Sequence, residues 1–233
     1  MPAILILTGV DLEARRLARL LELPALPALG FPAFDRGGVR VAAVGPGAGL
    51  LPARWPSLLA DLDRPTVVSA GVCGGLDPAL AAGDLVLPEG VRGPAGDLAN
   101  VTPSRHRQAI AAAPGAATGL MVTARQVLET PEAKAALFAE TGAVAVDMES
   151  SAILGAAAAA GLPSLVVRGV SDDARQGMPR ELIELISPEG RLRLGRAVAL
   201  LSRPAVLSRA VGLGRATTRA LRSVARLLAS ITG

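Results

Sequence analysis

The sequence predicts an α/β fold with a mostly parallel sheet. Three apolar runs, at residues 4–8, 39–44 and 66–70, alternate with segments of helical spacing, and this alternation is typical of parallel sheets covered by helices. A later run at residues 144–146 leads through an alanine-rich helix to another at residues 165–170. Strands this apolar are buried on both faces, and ligands then bind beyond their carboxyl ends.

The other predicted elements follow in chain order. Leucines within residues 12–21 predict the first helix, and residues 50–62 form the second. The segment at residues 90–100 is rich in Gly and Pro and predicts a mobile loop. The Thr-Pro pair at residues 130–131 is a typical start for a further helix, which Gly142 ends.

Length and composition favour one globular domain. The chain has 233 residues, of which 51% are hydrophobic and 19% charged, so it can bury a full core. We expect residues 1–189 to form the α/β part and residues 190–233 an arginine-rich helical extension of the same domain. No apolar run reaches the roughly 18 residues of a membrane-spanning helix, and no basic stretch precedes the first run. We therefore expect a cytoplasmic protein.

The chain contains one cysteine and one histidine, which limits its redox and metal chemistry. Cys73 cannot form an intramolecular disulfide, and with His106 it makes no convincing zinc site, so we expect neither a metal nor a cofactor. We interpret Cys73 as a small apolar residue in a tight turn. We interpret His106, which lies between two arginines, as a surface residue of a helix.

Positive charge is concentrated at the carboxyl end. Residues 1–189 carry 15 basic and 20 acidic side chains, whereas residues 190–233 carry nine arginines and no acid. Helical spacing there puts an arginine stripe opposite an apolar stripe. The two stripes are Arg215, Arg219, Arg222 and Arg226, and Leu221, Val224, Leu228 and Ile231. Such a helix either packs on the domain or lies on an anionic membrane, while an aromatic content of 2% argues against nucleic acid.

Carboxylates follow the two late apolar runs. Asp147-Met148-Glu149 ends the first run and Ser171-Asp172 ends the second, so both acids are expected at one edge of the sheet. Each also has a structural interpretation, because Glu149 could cap the following helix and Asp172 could be an ordinary turn residue.

These segments resemble the signature of the nucleoside phosphorylases and nucleosidases, a V-[DE]-M-E segment followed by R-x-[IV]-S-D. Glycine-rich turns at residues 45–49 and 71–75, and the segment at 83–86, resemble further parts of that family. The resemblance implies a three-layer αβα sandwich around a mostly parallel, mixed sheet in a single domain. It also implies a homo-oligomeric enzyme that cleaves the N-ribosidic bond of a purine nucleoside.

The resemblance assigns roles to individual residues. Asp172 would protonate the departing purine, which requires a raised pKa, and Glu149 would bind the ribose hydroxyls. Glu13 matches the acid that positions water in the nucleosidases. The expected substrate contacts are Met148, Ser171, Gly74, Val127, Leu128 and Gly47.

Two alternatives for the nucleophile stay open at this point. Glu13 favours water, whereas phosphate as a co-substrate needs arginine and hydroxyl donors. Arg40, Arg54 and Arg168 are candidate anion ligands, but Val72 stands where relatives often have a hydroxyl residue.

The base pocket departs from the family pattern. The segment at residues 123–128 lacks the aromatic residue on which nucleosidases often stack adenine. Val127 and Leu128 would then hold the base between them, and Arg125 or Gln126 would contact its polar edge.

The arginine-rich carboxyl end resembles the hopanoid-associated phosphorylase branch of the family. Members of that branch are thought to release adenine from 5′-adenosylhopane, which implies a lipid-linked substrate and peripheral contact with the inner face of an anionic membrane. One alternative is a soluble nucleosidase for methylthioadenosine-like or S-adenosylhomocysteine-like substrates. A second is a lipid-binding protein without catalytic activity.

Overall fold

The computed structural model describes residues 3–178, 187 and 204–232 of the chain. Its strands are β1 Ile4–Thr8, β2 Ala33–Arg36, β3 Val39–Ala43, β4 Thr66–Gly75, β5 Leu85–Val86, β6 Gly90–Arg92, β7 Leu98–Asn100, β8 Leu120–Thr123, β9 Ala145–Asp147 and β10 Ser164–Asp172. Its α-helices are α1 Asp11–Leu20, α2 Leu51–Leu59, α3 Pro103–Ala112, α4 Pro131–Thr141, α5 Ser150–Ala159 and α6 Pro204–Thr232.

The strands form one mixed sheet centred on β1 and β4. Its order is β2-β3-β1-β4-β9-β8-β6-β7, and β10 pairs with β4 and β5. Parallel pairs join β1 to β3 and β4, β4 to β10, and β8 to β6 and β9, while the other pairs are antiparallel. Gly74, near the end of β4, pairs with both Val146 of β9 and Asp172 of β10. Three strands therefore meet at this glycine.

Helices cover both faces of the sheet. On one face, α1, α3 and α6 contribute Leu17, Ala109 and Leu221 to a buried cluster with the strands. On the other face, α2 and α5 contribute Leu58 and Ile153 to a second cluster. These layers confirm the predicted single-domain αβα sandwich around a mixed sheet.

Most elements lie where the apolar runs predict them, but two boundaries differ. The helix α2 is shorter than the predicted residues 50–62, and β4 continues to Gly75 instead of ending at residue 70. The glycine-rich turn predicted at residues 71–75 is therefore strand, because it pairs with β10 along one edge and with β9 at its end. Gly142 ends α4 in the left-handed conformation with φ of 65°, as predicted.

The prediction of a mobile loop at residues 90–100 is wrong. The segment is a β-hairpin in which β6 pairs with β7 and, on its other edge, with β8. Gly90 begins β6, and the other Gly and Pro residues form the turn, where Gly96 has φ of 85°. Composition indicated the turn but not the strands on either side of it.

The helix α6 packs its apolar stripe into the core. Leu221, Val224 and Leu228 are fully buried against the sheet, whereas the four predicted arginines are exposed. Gly169 of β10 allows this approach, because a Cβ atom there would lie 2.7 Å from the Ala220 carbonyl oxygen. The stripe is thus unavailable to a membrane, and α6 belongs to the domain. No helix in the described ranges has the length and hydropathy needed to cross a bilayer.

We expect Leu221→Ala to lower the free energy of unfolding by about 2–5 kcal/mol, because it opens a cavity under α6. Arg222→Ala is the matched control: it changes the next, exposed residue and should alter stability by less than about 0.5 kcal/mol. Urea denaturation followed by circular dichroism measures both values. Equal stability of the two variants would contradict the packing of α6.

Candidate active site

A cavity of about 210 Å³ lies where the ends of β1, β4, β9 and β10 meet. Apolar side chains, among them Val127, Leu128 and Met148, form much of its wall. Its ionisable and hydroxyl groups come from separate parts of the chain. They are Glu13, Cys73, Lys134, Asp147, Glu149, Ser171 and Asp172. The fold therefore collects seven ionisable or hydroxyl groups in one small volume.

One end of the cavity is organised by Arg168, which is almost completely buried. Its Nη2 atom lies 2.6 Å from Asp147 Oδ2 and 3.8 Å from Glu149 Oε2. The same nitrogen donates to the hydroxyls of Ser69, at 2.8 Å, and Ser150, at 3.1 Å. A buried guanidinium is tolerated only when it is paired and hydrogen-bonded in this way. Arg168 therefore fixes the positions of the acids around it.

Glu149 directs its side chain into the site. It occupies the position before α5, but its carboxylate makes no hydrogen bond that caps the helix. Instead Oε1 accepts a hydrogen bond of 3.0 Å from the Gly47 amide. Burial, helped by the negative charge of Asp147, raises the pKa of Glu149 to about 7. This carboxyl group therefore changes charge near neutral pH.

Glu13 is also buried, although it lies in the first turn of α1. Its Oε1 accepts a hydrogen bond of 2.8 Å from the Val72 amide, and Oε2 accepts one of 3.3 Å from the Val10 amide. Burial raises the pKa of Glu13 against the opposing effect of Arg168. Gly71 is required beside it, because a Cβ atom there would lie 2.7 Å from Glu13 Oε1.

Asp172 also lines the cavity and belongs to a separate ion pair. Its Oδ1 accepts a hydrogen bond of 2.6 Å from the Ser171 hydroxyl, and its Oδ2 accepts one of 2.5 Å from Lys134 Nζ. Burial raises the pKa of Asp172, while the ammonium of Lys134 acts in the opposite direction. Both properties suit a proton donor, because the group can hold a proton and the ion left behind has a partner.

The structure brings together almost all of the predicted site residues. Gly74, Met148, Val127, Leu128 and Ser171 line the cavity with the three acids. Gly47 does not line it, but its amide holds Glu149. Their predicted roles toward a substrate stay predictions.

Several other predictions for single residues need correction or restriction. Arg40 pairs with Asp35, and Arg54 donates to the Ala43 carbonyl; neither lines the cavity. His106 is half-buried and within hydrogen-bond distance of the Leu87 carbonyl oxygen, so it is not a free surface residue. Cys73 lies inside β4 and not in a tight turn, but it is buried, as an apolar residue would be, and burial raises the pKa of its thiol, which disfavours a nucleophilic thiolate.

Lys134 is the site residue that the sequence reasoning missed. A signal was present, since it is the only lysine in a chain with 24 basic residues. Among the described residues no cluster of His, Cys, Asp and Glu could hold a metal ion.

The comparisons with known proteins agree with this geometry. The family model described as "Phosphorylase superfamily" matches residues 3–202. A search of curated proteins gave no significant match. Among solved structures, the 5′-methylthioadenosine/S-adenosylhomocysteine nucleosidase of Neisseria meningitidis has a TM-score of 0.73 at 18% identity, covering 100% of this chain and 99% of that one. The futalosine hydrolase of Helicobacter pylori has a TM-score of 0.73 at 18% identity, covering 99% and 97%.

The fold and the site therefore define an α/β enzyme with a carboxylate-lined cavity at the ends of its strands. The chain belongs to the phosphorylase superfamily, as its sequence motifs indicated. It is an enzyme that cleaves N-glycosyl bonds, and the alternative of a non-catalytic lipid-binding protein is discarded.

We expect Glu149→Gln to stabilise the enzyme at pH 8 by about 1–3 kcal/mol. Between pH 4.5 and 7 the folded chain keeps a proton on Glu149 that the unfolded chain has released, so wild-type stability falls as the pH rises through this window. The amide of the variant carries no charge, and this contribution to the slope disappears. Urea denaturation from pH 4.5 to 8 measures the effect.

Glu140→Gln is the matched control for this substitution, because it neutralises an exposed glutamate of α4. Its stability should follow the wild-type curve across the whole pH range. The account of Glu149 is wrong if its variant also follows that curve.

Proposed function

We propose that this enzyme releases adenine from a 5′-modified adenosine by hydrolysis of the N-ribosidic bond. The observation that carries the proposal is that carboxyl groups from two separate ion clusters, one around Lys134 and one around Arg168, line a single cavity. Asp172, paired with Lys134, lines the same cavity as Glu13 and Glu149, which lie beside Arg168, and burial raises the pKa of all three carboxyl groups. This arrangement suits a reaction in which a base leaves from one side of a sugar that becomes positively charged.

The leaving group needs a proton. Adenine is a poor leaving group as an anion, and a positioned general acid typically accelerates such a step by about 10²–10⁴-fold. Asp172 supplies that proton at N7 of the base. Val127 and Leu128 offer the apolar walls that a base without an aromatic partner requires.

The sugar needs a stabilising carboxylate. As the bond stretches, the ribose acquires oxocarbenium character, and hydrogen bonds from its 2′ and 3′ hydroxyls to a fixed anion strengthen. Glu149 is that anion in its ionised form. The Gly47 amide and Arg168 hold it in place, so little reorganisation is needed during the reaction.

The hydrogen bonds of the glycine-rich segment favour water over phosphate as the nucleophile, because a backbone amide there is already bound to Glu13. The Val72 amide, in the glycine-rich segment where a phosphate would be held, already donates to Glu13. No arginine of the described residues lines the cavity, and its lysine is bound to Asp172. Glu13 is left as the base that accepts a proton from water. Phosphate as co-substrate is the alternative outcome.

We expect Asp172→Asn to reduce kcat for adenine release from 5′-methylthioadenosine by at least about 100-fold, because the amide cannot transfer a proton. Asp173→Asn is the matched control and should stay close to wild type, since the Asp173 side chain accepts a hydrogen bond from the exposed Arg175 amide. A coupled spectrophotometric assay measures adenine. Undiminished turnover by the Asp172 variant would exclude it as the acid.

The product identifies the nucleophile in the same assay. We expect the enzyme to release the free 5′-modified ribose at the same rate in phosphate buffer and in phosphate-free buffer. A sugar 1-phosphate product, formed at a rate that rises with phosphate concentration, would assign phosphorolysis.

Two classes of 5′ substituent are candidates for the substrate, a small thio group and a lipid group. The structural neighbours named above include a nucleosidase solved with methylthio-immucillin-A, which favours small 5′-thio groups. A lipid group, such as the hopane of 5′-adenosylhopane, is the second candidate. It is supported by the four exposed arginines of α6 and by a neighbouring cavity in which Leu213 and Ala216 of α6 lie with Asp172. A basic face beside the site would attract an anionic bilayer.

If the substrate is lipid-linked, replacing Arg215, Arg222 and Arg226 by Gln should weaken binding to vesicles that contain an anionic lipid. Each lost charge is worth about 1 kcal/mol near such a surface. The matched control replaces the exposed Arg19, Arg36 and Arg107 by Gln and changes the net charge equally. Vesicle flotation measures binding. Equal binding by both triple variants would exclude a membrane role for α6.

A further inference from the structure

Lys134 is buried at the site without a local reason to be there. It lies one turn into α4, where the helix dipole disfavours a cation, and its side chain is 1% exposed. The ammonium donates to three oxygens: Asp172 Oδ2 at 2.5 Å, the Asp173 carbonyl at 2.7 Å and the Asp172 carbonyl at 3.3 Å. All three of its protons are therefore used on the segment that carries Asp172.

The pairing of cations and acids in the cavity is selective. Arg168 lies with Asp147, Glu149 and Glu13, whereas Lys134 lies with Asp172. The other ionisable groups around Asp172 are Asp173, which follows it in the chain, Cys73 from β4, and Glu129, which lines the neighbouring cavity with Leu213 and Ala216. Lys134 is thus the one cation, within the described ranges, that these contacts place against Asp172.

We propose that Lys134 is a positioning residue that directs the catalytic proton of Asp172 to Oδ1 and stabilises the carboxylate left when that proton departs. This inference rests on the proposed function, in which Asp172 is the general acid. An ammonium donates hydrogen bonds but cannot accept one, so a proton on Oδ2 would point at Lys134 without an acceptor. The proton of the carboxyl form is therefore confined to Oδ1.

The Ser171 hydroxyl accommodates both protonation states. It lies 2.6 Å from Asp172 Oδ1 and 3.2 Å from the Cys73 carbonyl oxygen. It donates to Oδ1 when Asp172 is ionised. When Oδ1 carries the proton, the hydroxyl turns its own proton to the Cys73 carbonyl.

The proton transfer is balanced as follows. The O–H bond at Asp172 Oδ1 breaks and an N–H bond forms at N7 of adenine, while the electron pair of the bond between N9 and the sugar moves onto the base. The sugar cation is captured by water, whose proton passes to Glu13. The Asp172 carboxylate then faces the Lys134 ammonium and regains a proton from solvent, and Glu13 releases to solvent the proton that it accepted. Burial alone would make Asp172 too weak an acid, and Lys134 offsets that effect.

The test replaces the ammonium by an uncharged side chain of similar length, Lys134→Met, and retains the charge in Lys134→Arg. Two substrates are compared: 5′-methylthioadenosine, whose base leaves with a proton, and 4-nitrophenyl β-ribofuranoside, whose phenolate leaves without one. We expect Lys134→Met to lower kcat for the nucleoside by about 10–100-fold, a part of a general acid's usual contribution. It should change kcat for the nitrophenyl riboside by less than twofold, and Lys134→Arg should recover part of the loss.

The pH profile is the second measurement. Loss of the ammonium should move the alkaline limb of kcat for the nucleoside to higher pH, since Asp172 then holds its proton more tightly. Arg175→Met is the matched control, because it removes an exposed cation close in sequence to Asp172, and it should leave the limb in place. An equal loss on both substrates, or an unmoved limb, would overturn the inference in favour of a structural role.

A spectroscopic titration separates this inference from the proposed function. Carbon-detected NMR of the Asp172 carboxyl group in the free protein should show a higher pKa in Lys134→Met than in wild type and a near wild-type value in Lys134→Arg. Wild-type enzyme that releases no adenine refutes the proposed function, whatever this titration shows. An unchanged Asp172 titration in an active enzyme refutes the role of Lys134 alone. If Lys134→Met does not fold, the pH profile of kcat for Lys134→Arg still tests the inference. An alkaline limb at the wild-type pH with retained activity supports the positioning role of Lys134. A variant of wild-type stability that has lost activity opposes it.

Discussion

The buried ion cluster around Arg168 is the constraint on which the rest of the site depends. Acids from β9, from the segment before α5 and from α1 can share a small volume only because one guanidinium lies among them. Its bonds to Ser69 and Ser150 tie β4, α5 and β10 together at the same point. Removing Arg168 would leave these buried carboxylates without a counter-charge, so the guanidinium holds both the fold and the chemistry in place.

The cavity gives its two ends different electrostatic environments. Beside Arg168, burial and the negative charge of Asp147 raise the pKa of Glu149 to about 7. At the other end, Asp172 has Lys134 to itself. Burial raises the pKa of both carboxyl groups, and a cation opposes the rise in each case: Glu149 shares Arg168 with Asp147 and Glu13, whereas Asp172 is paired with Lys134. One fold thereby offers an anion for the sugar and an acid for the base a short distance apart.

The fold and the main acids could be predicted because apolar runs and the residues at their ends are local features of sequence. Asp147 and Asp172 end strands and Glu149 closely follows one, and the strand order brings them together. Lys134 could not be found this way, because it lies mid-helix and its partner is 38 positions away in sequence. The hairpin at residues 90–100 was missed because its strands are short and are stabilised by pairing with β8. The buried side of α6 was predicted by its spacing, but spacing alone does not decide between a membrane and the core.

The central claim is that the base leaves because Asp172 protonates its N7 atom. The most direct measurement compares 5′-methylthioadenosine with its 7-deaza analogue, in which a carbon replaces N7 and cannot accept this proton. The account predicts that the analogue binds with an affinity within about tenfold of the substrate, and that its adenine-like base is released at least about 100-fold more slowly. Release of the deaza base at the rate of adenine would contradict the assignment of Asp172 and the mechanism built on it.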